Sequence, residues 1–320
     1  MRFLNFILTA AFALTTSMAA HAQSYPQRPI KIIVAYAAGQ GTDIATRYLA
    51  AQMAVDLGQP IVIENKAGAG GNLGTDLARQ AAPDGYTLTM GTNATHVLNQ
   101  YLYTKLPFDP ALDFEPIALV GTFPMVVAVN AASPLTSAAE LVSLAQRSPR
   151  SADIAMPSTT ARLVVELLKD RASVPLFGVP YKGSANAVTD LLGGQIPAIV
   201  DTPTALRPLL ASGKLRALAV TSAQPSGLMP GVKTVAEQGF SDFEVVAWNA
   251  LYAPRGTPQA IINTLNAALN KVLAQPETRQ RLLDLGFDPA GGSPARLAAF
   301  AVNERRKWEP VIKRAGIQVD

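Results

Sequence analysis

The chain has 320 residues, 49% of them hydrophobic and 16% charged, with no cysteine, two histidines and a formal net charge of +4. The apolar share excludes a disordered chain, and the length suffices for one or two packed cores. Without cysteine there is no disulfide framework, thiolate zinc site, Fe–S cluster, cysteine nucleophile or thiol for a lipid anchor, and the small, dispersed positive charge does not argue for nucleic acid.

Met1-Arg2 is a short basic start, Phe3 to Leu14 is largely apolar, and Ala20-His21-Ala22 is a small-x-small cleavage pattern. Together they predict a secretory signal peptide over residues 1–22, cleaved after Ala22, and hence an exported protein. The apolar run falls short of the ~20 residues that cross a bilayer.

From there strand-like and helix-like runs alternate. Ile30–Tyr36 reads as a buried strand, and Thr42–Leu57 as a helix capped by Thr42 and stopped by Gly58. A strand at Pro60–Asn65, a helix at Asn72–Ala82 and a strand at Tyr86–Gly91 complete a β-α-β-α-β series, which predicts a parallel, doubly wound sheet. A second series begins with a strand at Met125–Asn130. Helices follow at Ser137–Arg147, Thr160–Asp170, Ala185–Leu192 and Thr204–Ala211, with strands at Ala152–Met156, Leu176–Tyr181, Ile196–Asp201 and Leu215–Thr221. An extended apolar stretch, Phe243–Tyr252, leads into helices at Pro258–Leu273, at Pro276–Leu285 and from about Pro294. Two α/β lobes suit this length.

Two glycine-rich turns stand out. Ala37-Ala38-Gly39-Gln40-Gly41-Thr42-Asp43 joins the first strand to the first helix, and Asn65-Lys66-Ala67-Gly68-Ala69-Gly70-Gly71-Asn72 joins the second strand to the second helix. Each places backbone N–H groups at a helix N-terminus, where an anion is favoured, and open α/β sheets bind ligands at these strand ends. A dinucleotide site is the rival, with Glu64 imitating the ribose acid. Ile44 and Leu73 stand where the third glycine or alanine of that fingerprint belongs, and there is no Gly-Lys-Ser/Thr phosphate loop. No G-x-S-x-G or H-E-x-x-H is present. His96, after the third strand, faces a cleft or packs without an obvious partner. Lys66 and Lys182 either neutralise an anion or are solvated, and Tyr36 and Trp248 wall a pocket or fill a core. Asp43 reads as a helix-dipole partner. Asp201, at a strand end, either receives a ligand hydroxyl or amine or bridges backbone N–H groups. Arg305, Arg306, Lys307, Lys313 and Arg314 read as a solvated face of the last helix.

The order of motifs resembles a known family. After Thr42-Asp43 come Ile63-Glu64-Asn65-Lys66 with Gly68-Ala69-Gly70-Gly71, then Ala82-Pro83-Asp84-Gly85-Tyr86-Thr87-Leu88 and Pro180-Tyr181-Lys182-Gly183. Asp190-Leu191-Leu192-Gly193-Gly194-Gln195, Leu215-Arg216-Ala217-Leu218-Ala219-Val220-Thr221-Ser222 and Val232-Lys233-Thr234-Val235-Ala236-Glu237-Gln238-Gly239 follow, then Trp248 and Ala253-Pro254-Arg255-Gly256-Thr257-Pro258. The set is similar to the Bug family of periplasmic solute receptors of tripartite tricarboxylate transporters.

The resemblance implies a two-lobed periplasmic binding protein of Venus-flytrap type, each lobe a mainly parallel sheet flanked by helices. Lobe 1 spans 23–125 plus 247–320 and lobe 2 spans 126–246. It implies a monomeric periplasmic receptor, without cofactor or catalysis, for a small carboxylate: a di- or tricarboxylate, an acidic amino acid or an aromatic acid. Its partners are the membrane subunits of the transporter; a ligand-presenting sensor is the alternative, and an exported enzyme acting on a small acid a remote one. Carried onto this chain, the ligand contacts are Tyr36, Ala38, Gly39, Gln40, Gly41, Thr42, Gly68, Ala69, Gly70, Gly71 and Thr92 in lobe 1, with Ser158, Thr159 and Asp201 in lobe 2. The family turns Pro-Tyr/Phe-Pro-x-Gly-Gly and Ser-Ala-Gly-x-Gly-Ser are here Ala35-Tyr36-Ala37-Ala38-Gly39-Gln40 and Ala155-Met156-Pro157-Ser158-Thr159-Thr160. These departures imply an atypical ligand or contacts shifted onto Gln40, Ser158 and Thr159.

Overall fold

The computed structural model describes residues 25–319; the expected signal peptide and its cleavage site lie outside them. Two sheets organise the chain. The first takes the order β11-β4-β10-β3-β1-β2, with β1 (Ile30–Val34), β2 (Ile61–Asn65), β3 (Thr87–Thr92), β4 (Phe114–Pro124), β10 (Val246–Pro254) and β11 (Asp288–Pro289). The second takes the order β7-β6-β8-β5-β9, with β5 (Val126–Asn130), β6 (Ile154–Met156), β7 (Gly178–Pro180), β8 (Ala198–Asp201) and β9 (Leu215–Val220).

The two-lobed α/β architecture is as expected, but both sheets are mixed. In the first, β1 runs parallel to β2 and β3, with Ile32 beside both Ile63 and Leu88. The strands that enter from beyond the local βαβ series, β10, β4 and β11, pair antiparallel. In the second, β6 is parallel to β7 and β8, whereas β5 is antiparallel to β8 and β9. The strand β4 was not anticipated. The stretch before it carries Pro107 and Pro110, and Pro116 lies inside it, so its propensity reads as loop. Its pairing along the whole of β10 overrides that signal.

Helices clothe both sheets. Helix α1 (Gly41–Leu57) buries Ala45, Leu49 and Met53 and stops at left-handed Gly58 (φ 67°). It starts at Gly41, one residue earlier than expected, and the Thr42 hydroxyl makes no cap: it donates to Asn249 Oδ1 at 3.3 Å. Helix α2 (Asn72–Arg79) follows the second glycine turn. After β3, a π-type turn (Ala94–Leu98) runs into α3 (Asn99–Leu102). In the second lobe, α4 (Ala138–Arg147) is capped by Ser137, α5 (Thr159–Ala172) by Ser158 and α7 (Pro203–Ala211) by Thr202, while α6 (Ser184–Leu192) starts after Gly183. Each cap hydroxyl accepts an N–H of the first turn, a contribution of about 1 kcal/mol. Three C-terminal helices, α8 (Gln259–Ala274), α9 (Pro276–Asp284) and α10 (Pro294–Ala315), return to the first sheet. The chain passes between sheets at Pro124–Val126, from β4 to β5, and again between Val220 and Val246. Among the described residues no helix is long and apolar enough to cross a membrane.

Candidate functional site

The carboxyl ends of β1, β2 and β3 face those of β6 and β8 across a cleft, and polar side chains from both sheets knit the turns there. Asp43, in the first turn of α1, accepts the Gly39 N–H at 2.9 Å, the Arg47 guanidinium at 2.9 Å and the Asn65 amide at 2.9 Å. Burial alone raises its pKa, but these donors outweigh it and hold the carboxyl below its ordinary range. Asn65 also donates to the Tyr36 carbonyl at 3.0 Å, so one amide ties the first turn to the end of β2. Asp43 is thus a builder of the turn.

The second turn is wound through left-handed conformations at Ala69 (φ 47°), Gly70 (φ 62°) and Gly71 (φ 95°). The alanine is the costly one, since a Cβ disfavours this region. The Gly70 carbonyl is held by the Asn99 amide at 3.1 Å. Lys66 does not reach into the cleft: it pairs with Glu64 at 2.8 Å, and Glu64 also holds Lys31.

Two adjoining chambers occupy the cleft. The inner one, about 40 Å³, is walled by Tyr36, Gln40, Gly41, Thr42 and Thr92 from the first lobe and Ser158 and Asp201 from the second. Asn93, Thr160, Ser184, Thr202 and Asn249 line it too, and sequence reasoning missed all five. The outer chamber, about 490 Å³, is walled by Gly68, Ala69, Gly70, Gly71 and Thr159, with Tyr103, Met156, Arg162, Tyr181 and Lys182. Tyr36, Gln40 and Ser158 belong to both. Ala38 and Gly39 are not brought to either chamber; they border a separate hollow beside Lys182 and Ser184.

Hydrogen bonds bridge the chambers from both lobes. Tyr36 and Thr92 share a hydroxyl–hydroxyl bond of 2.8 Å, and burial pushes the phenol of Tyr36 up to about 12. Gln40 accepts the Ala37 N–H at 3.1 Å, and its amide spans the cleft to the Pro157 carbonyl at 3.4 Å and the Ser184 hydroxyl at 3.5 Å. Thr160 donates to Asn93 at 3.3 Å from the other side. Gly41 is a place of close approach between lobes: a Cβ there would stand 3.0 Å from Thr202 Oγ1 and 3.2 Å from Thr204. Asp201 is buried, and burial pushes its carboxyl up to about 6 against the Ser184 and Thr202 hydrogen bonds. His96 and Trp248 are not in the site. His96 is stacked on the Tyr252 ring at 4.0 Å, and Trp248 lies fully buried with its indole N–H on Glu304. No cluster of three metal-ligating side chains is found among the described residues.

Residues 45–317 match the model of the tripartite tricarboxylate transporter family receptor. The chain belongs to that family. It is 34% identical over 317 residues to BugT of Bordetella pertussis, covering 98% of this chain and 96% of that one. Rpa4515 of R. palustris, solved with adipate, superposes with a TM-score of 0.88 at 34% identity, covering 92% of this chain and all of that one. MatC of Rhodopseudomonas palustris, solved with bound malate, superposes at 0.85 with 35% identity, covering 90% of this chain and all of that one. The architecture and family of this receptor are therefore those of periplasmic solute-binding proteins, as the motif order implied.

Proposed function

We propose that this chain is an extracytoplasmic receptor that captures a small carboxylate between its lobes and delivers it to the membrane subunits of a tripartite tricarboxylate transporter. The observation that carries this reading is the pair of chambers at facing strand ends, in a fold whose relatives were solved with adipate and malate. The receptor acts as a monomer without catalysis, reaches the periplasm after cleavage behind Ala22, and closes lobe 2 (126–246) on lobe 1 (23–125 plus 247–320). Tyr36, Gln40, Gly41, Thr42, Thr92, Ser158 and Asp201 contact the head of the ligand, and Gly68 to Gly71 with Thr159 flank its chain. The carboxylate is held by N–H groups and neutral donors, because no lysine or arginine lines the inner chamber and Lys66 is engaged by Glu64.

The test is thermal unfolding and calorimetry of the processed protein against di- and tricarboxylates, acidic amino acids and aromatic acids. A ligand of the native state adds ~2.7 kcal/mol at a hundredfold excess over Kd. A shift with acids alone is the expected result; a shift only with neutral sugars or cations refutes the reading. Loss of uptake of the same acid on deleting the gene tests delivery, and the intact mass of periplasmic protein tests cleavage.

A further inference from the structure

Three residues of the inner-chamber wall each carry a buried polar atom without a partner: Asn93 Nδ2, Asn249 Nδ2 and Asp201 Oδ2. The three residues are 1%, 1% and 2% exposed. Each asparagine has its carbonyl engaged by a threonine hydroxyl, Thr160 on Asn93 and Thr42 on Asn249, both at 3.3 Å. The NH₂ ends are therefore the ones left over. Asp201 Oδ1 accepts the Thr202 N–H at 2.7 Å and Oδ2 has no hydrogen bond, although the Ser184 and Thr202 hydroxyls act on the carboxyl from nearby. A native structure seldom leaves such groups unmatched without a use, since each costs desolvation.

The set is complementary to a particular head group. Two amide donors suit the two oxygens of a carboxylate. A carboxylate alone offers only lone pairs, and beside Asp201 it meets a like charge with no lysine or arginine in the chamber wall to offset it. An acid with a hydroxyl or ammonium on the carbon next to the carboxylate supplies the missing donor. The chamber, at about 40 Å³ against about 490 Å³ for the outer one, is small and takes a head group. The carbon chain then passes Tyr36 and Ser158 into the outer chamber. Burial that pushes the Asp201 carboxyl up to about 6 is consistent with an acceptor awaiting a donor.

We infer that Asp201 is the specificity-determining acceptor for an α-hydroxyl or α-ammonium group of the ligand, with Asn93 and Asn249 holding the adjacent carboxylate. This rests on the carboxylate-receptor reading above and narrows it to α-substituted acids.

Matched sets test it by calorimetry: succinate, malate and aspartate; adipate, α-hydroxyadipate and α-aminoadipate; phenylacetate, mandelate and phenylglycine. The expected result is that, in the set that binds, a substituted acid binds about tenfold or more tighter than its parent, as a hydrogen bond to a charged group implies. Asp201→Ala brings the ratio of substituted to parent acid close to one, whatever the change in the affinity for the parent. Should Asp201→Ala not fold, Asp201→Asn replaces it; that variant keeps an acceptor without the charge and must lose the preference for the ammonium acid over its parent. Equal binding of parent and substituted acids, or an undiminished ratio in the variants, overturns the assignment while the receptor reading stands. No binding by any acid in these sets or in the wider screen of carboxylates above overturns both.

Discussion

The Thr221 hydroxyl accepts the Met125 N–H at 2.8 Å and donates to the Val245 carbonyl at 2.6 Å. Met125 and the residues after Thr221 are the two passages between the sheets, and backbone bonds from Thr221 to Met125 (3.0 Å) and from Val245 to Thr221 (2.8 Å) double the tie. One buried side chain thus holds both crossings in register. Thr221→Val keeps the shape but strands a buried N–H and a buried carbonyl, which costs about 1–3 kcal/mol. Urea unfolding should show this loss for Thr221→Val and little for Thr221→Ser; equal stability of wild type and Thr221→Val would mean that the Thr221 hydroxyl does not hold the two crossings.

Gly41 gives a separate handle on closure. Its Cβ position is crowded by Thr202 and Thr204 across the cleft, and its own backbone is not left-handed. Gly41→Val therefore perturbs the approach of the lobes more than the helix it begins, where the propensity change is under about 1 kcal/mol. With saturating acid, small-angle scattering should find the variant more open than wild type, and affinity should fall by at least about tenfold. Wild-type compactness and affinity together would mean that the lobes do not meet at Gly41 in the bound state.

The parts of the fold that are local in sequence were legible, and those that are not were missed. Strand, glycine turn and helix follow one another within thirty residues or so in a βαβ unit, so β1 through β3 and both turns could be read directly. Strand β4 lies between β10 and β11, partners far downstream, and its prolines hide it. The same distinction divides the site. The glycine turns announce themselves, but Asn249 reaches the chamber only because β10 pairs antiparallel with β3, placing Asn249 beside Thr92. Strand alternation then explains Trp248: Ala247 and Asn249 face the chamber, so the residue between them faces the opposite way, into the core. Asn93 and Ser184 carry no motif, Thr160 only ends a second-lobe turn that departs from its family pattern, and their role appears only when the two sheets face each other.

Asp201 should lower the stability of the ligand-free protein at neutral pH. Its folded carboxyl titrates near 6 against an ordinary 3.8, so the folded state binds the proton more tightly. Its contribution is favourable below about pH 4 and is lost as pH rises through 6, up to about 3 kcal/mol for a shift of this size. Asp201→Asn has no such proton. The stability of the variant relative to wild type should therefore climb between pH 4 and pH 7 in urea titrations. A difference that stays flat over that range would show that Asp201 does not titrate in it.

His96 should act in the opposite sense and on the acid side. It lies between the rings of Tyr252, at 4.0 Å, and Phe114, at 4.8 Å, and Thr95 Oγ1 contacts its Nδ1 at 2.9 Å. Burial, with a smaller effect from the Arg305 charge, pushes the imidazole down from 6.5 to about 3. The folded state keeps it neutral while the unfolded chain takes up a proton. Stability is therefore intact above about pH 6.5 and falls as pH drops toward 3, by about 2 kcal/mol at pH 5 from this group. His96→Phe retains an aromatic ring to stack and removes the titration. At pH 7.5 the variant should be less stable, because the bond to Thr95 is gone. Between pH 6.5 and pH 4 that deficit should shrink and then reverse, as measured by urea midpoints at each pH. A deficit independent of pH over that interval would mean that His96 is protonated as readily in the folded protein as in the unfolded chain.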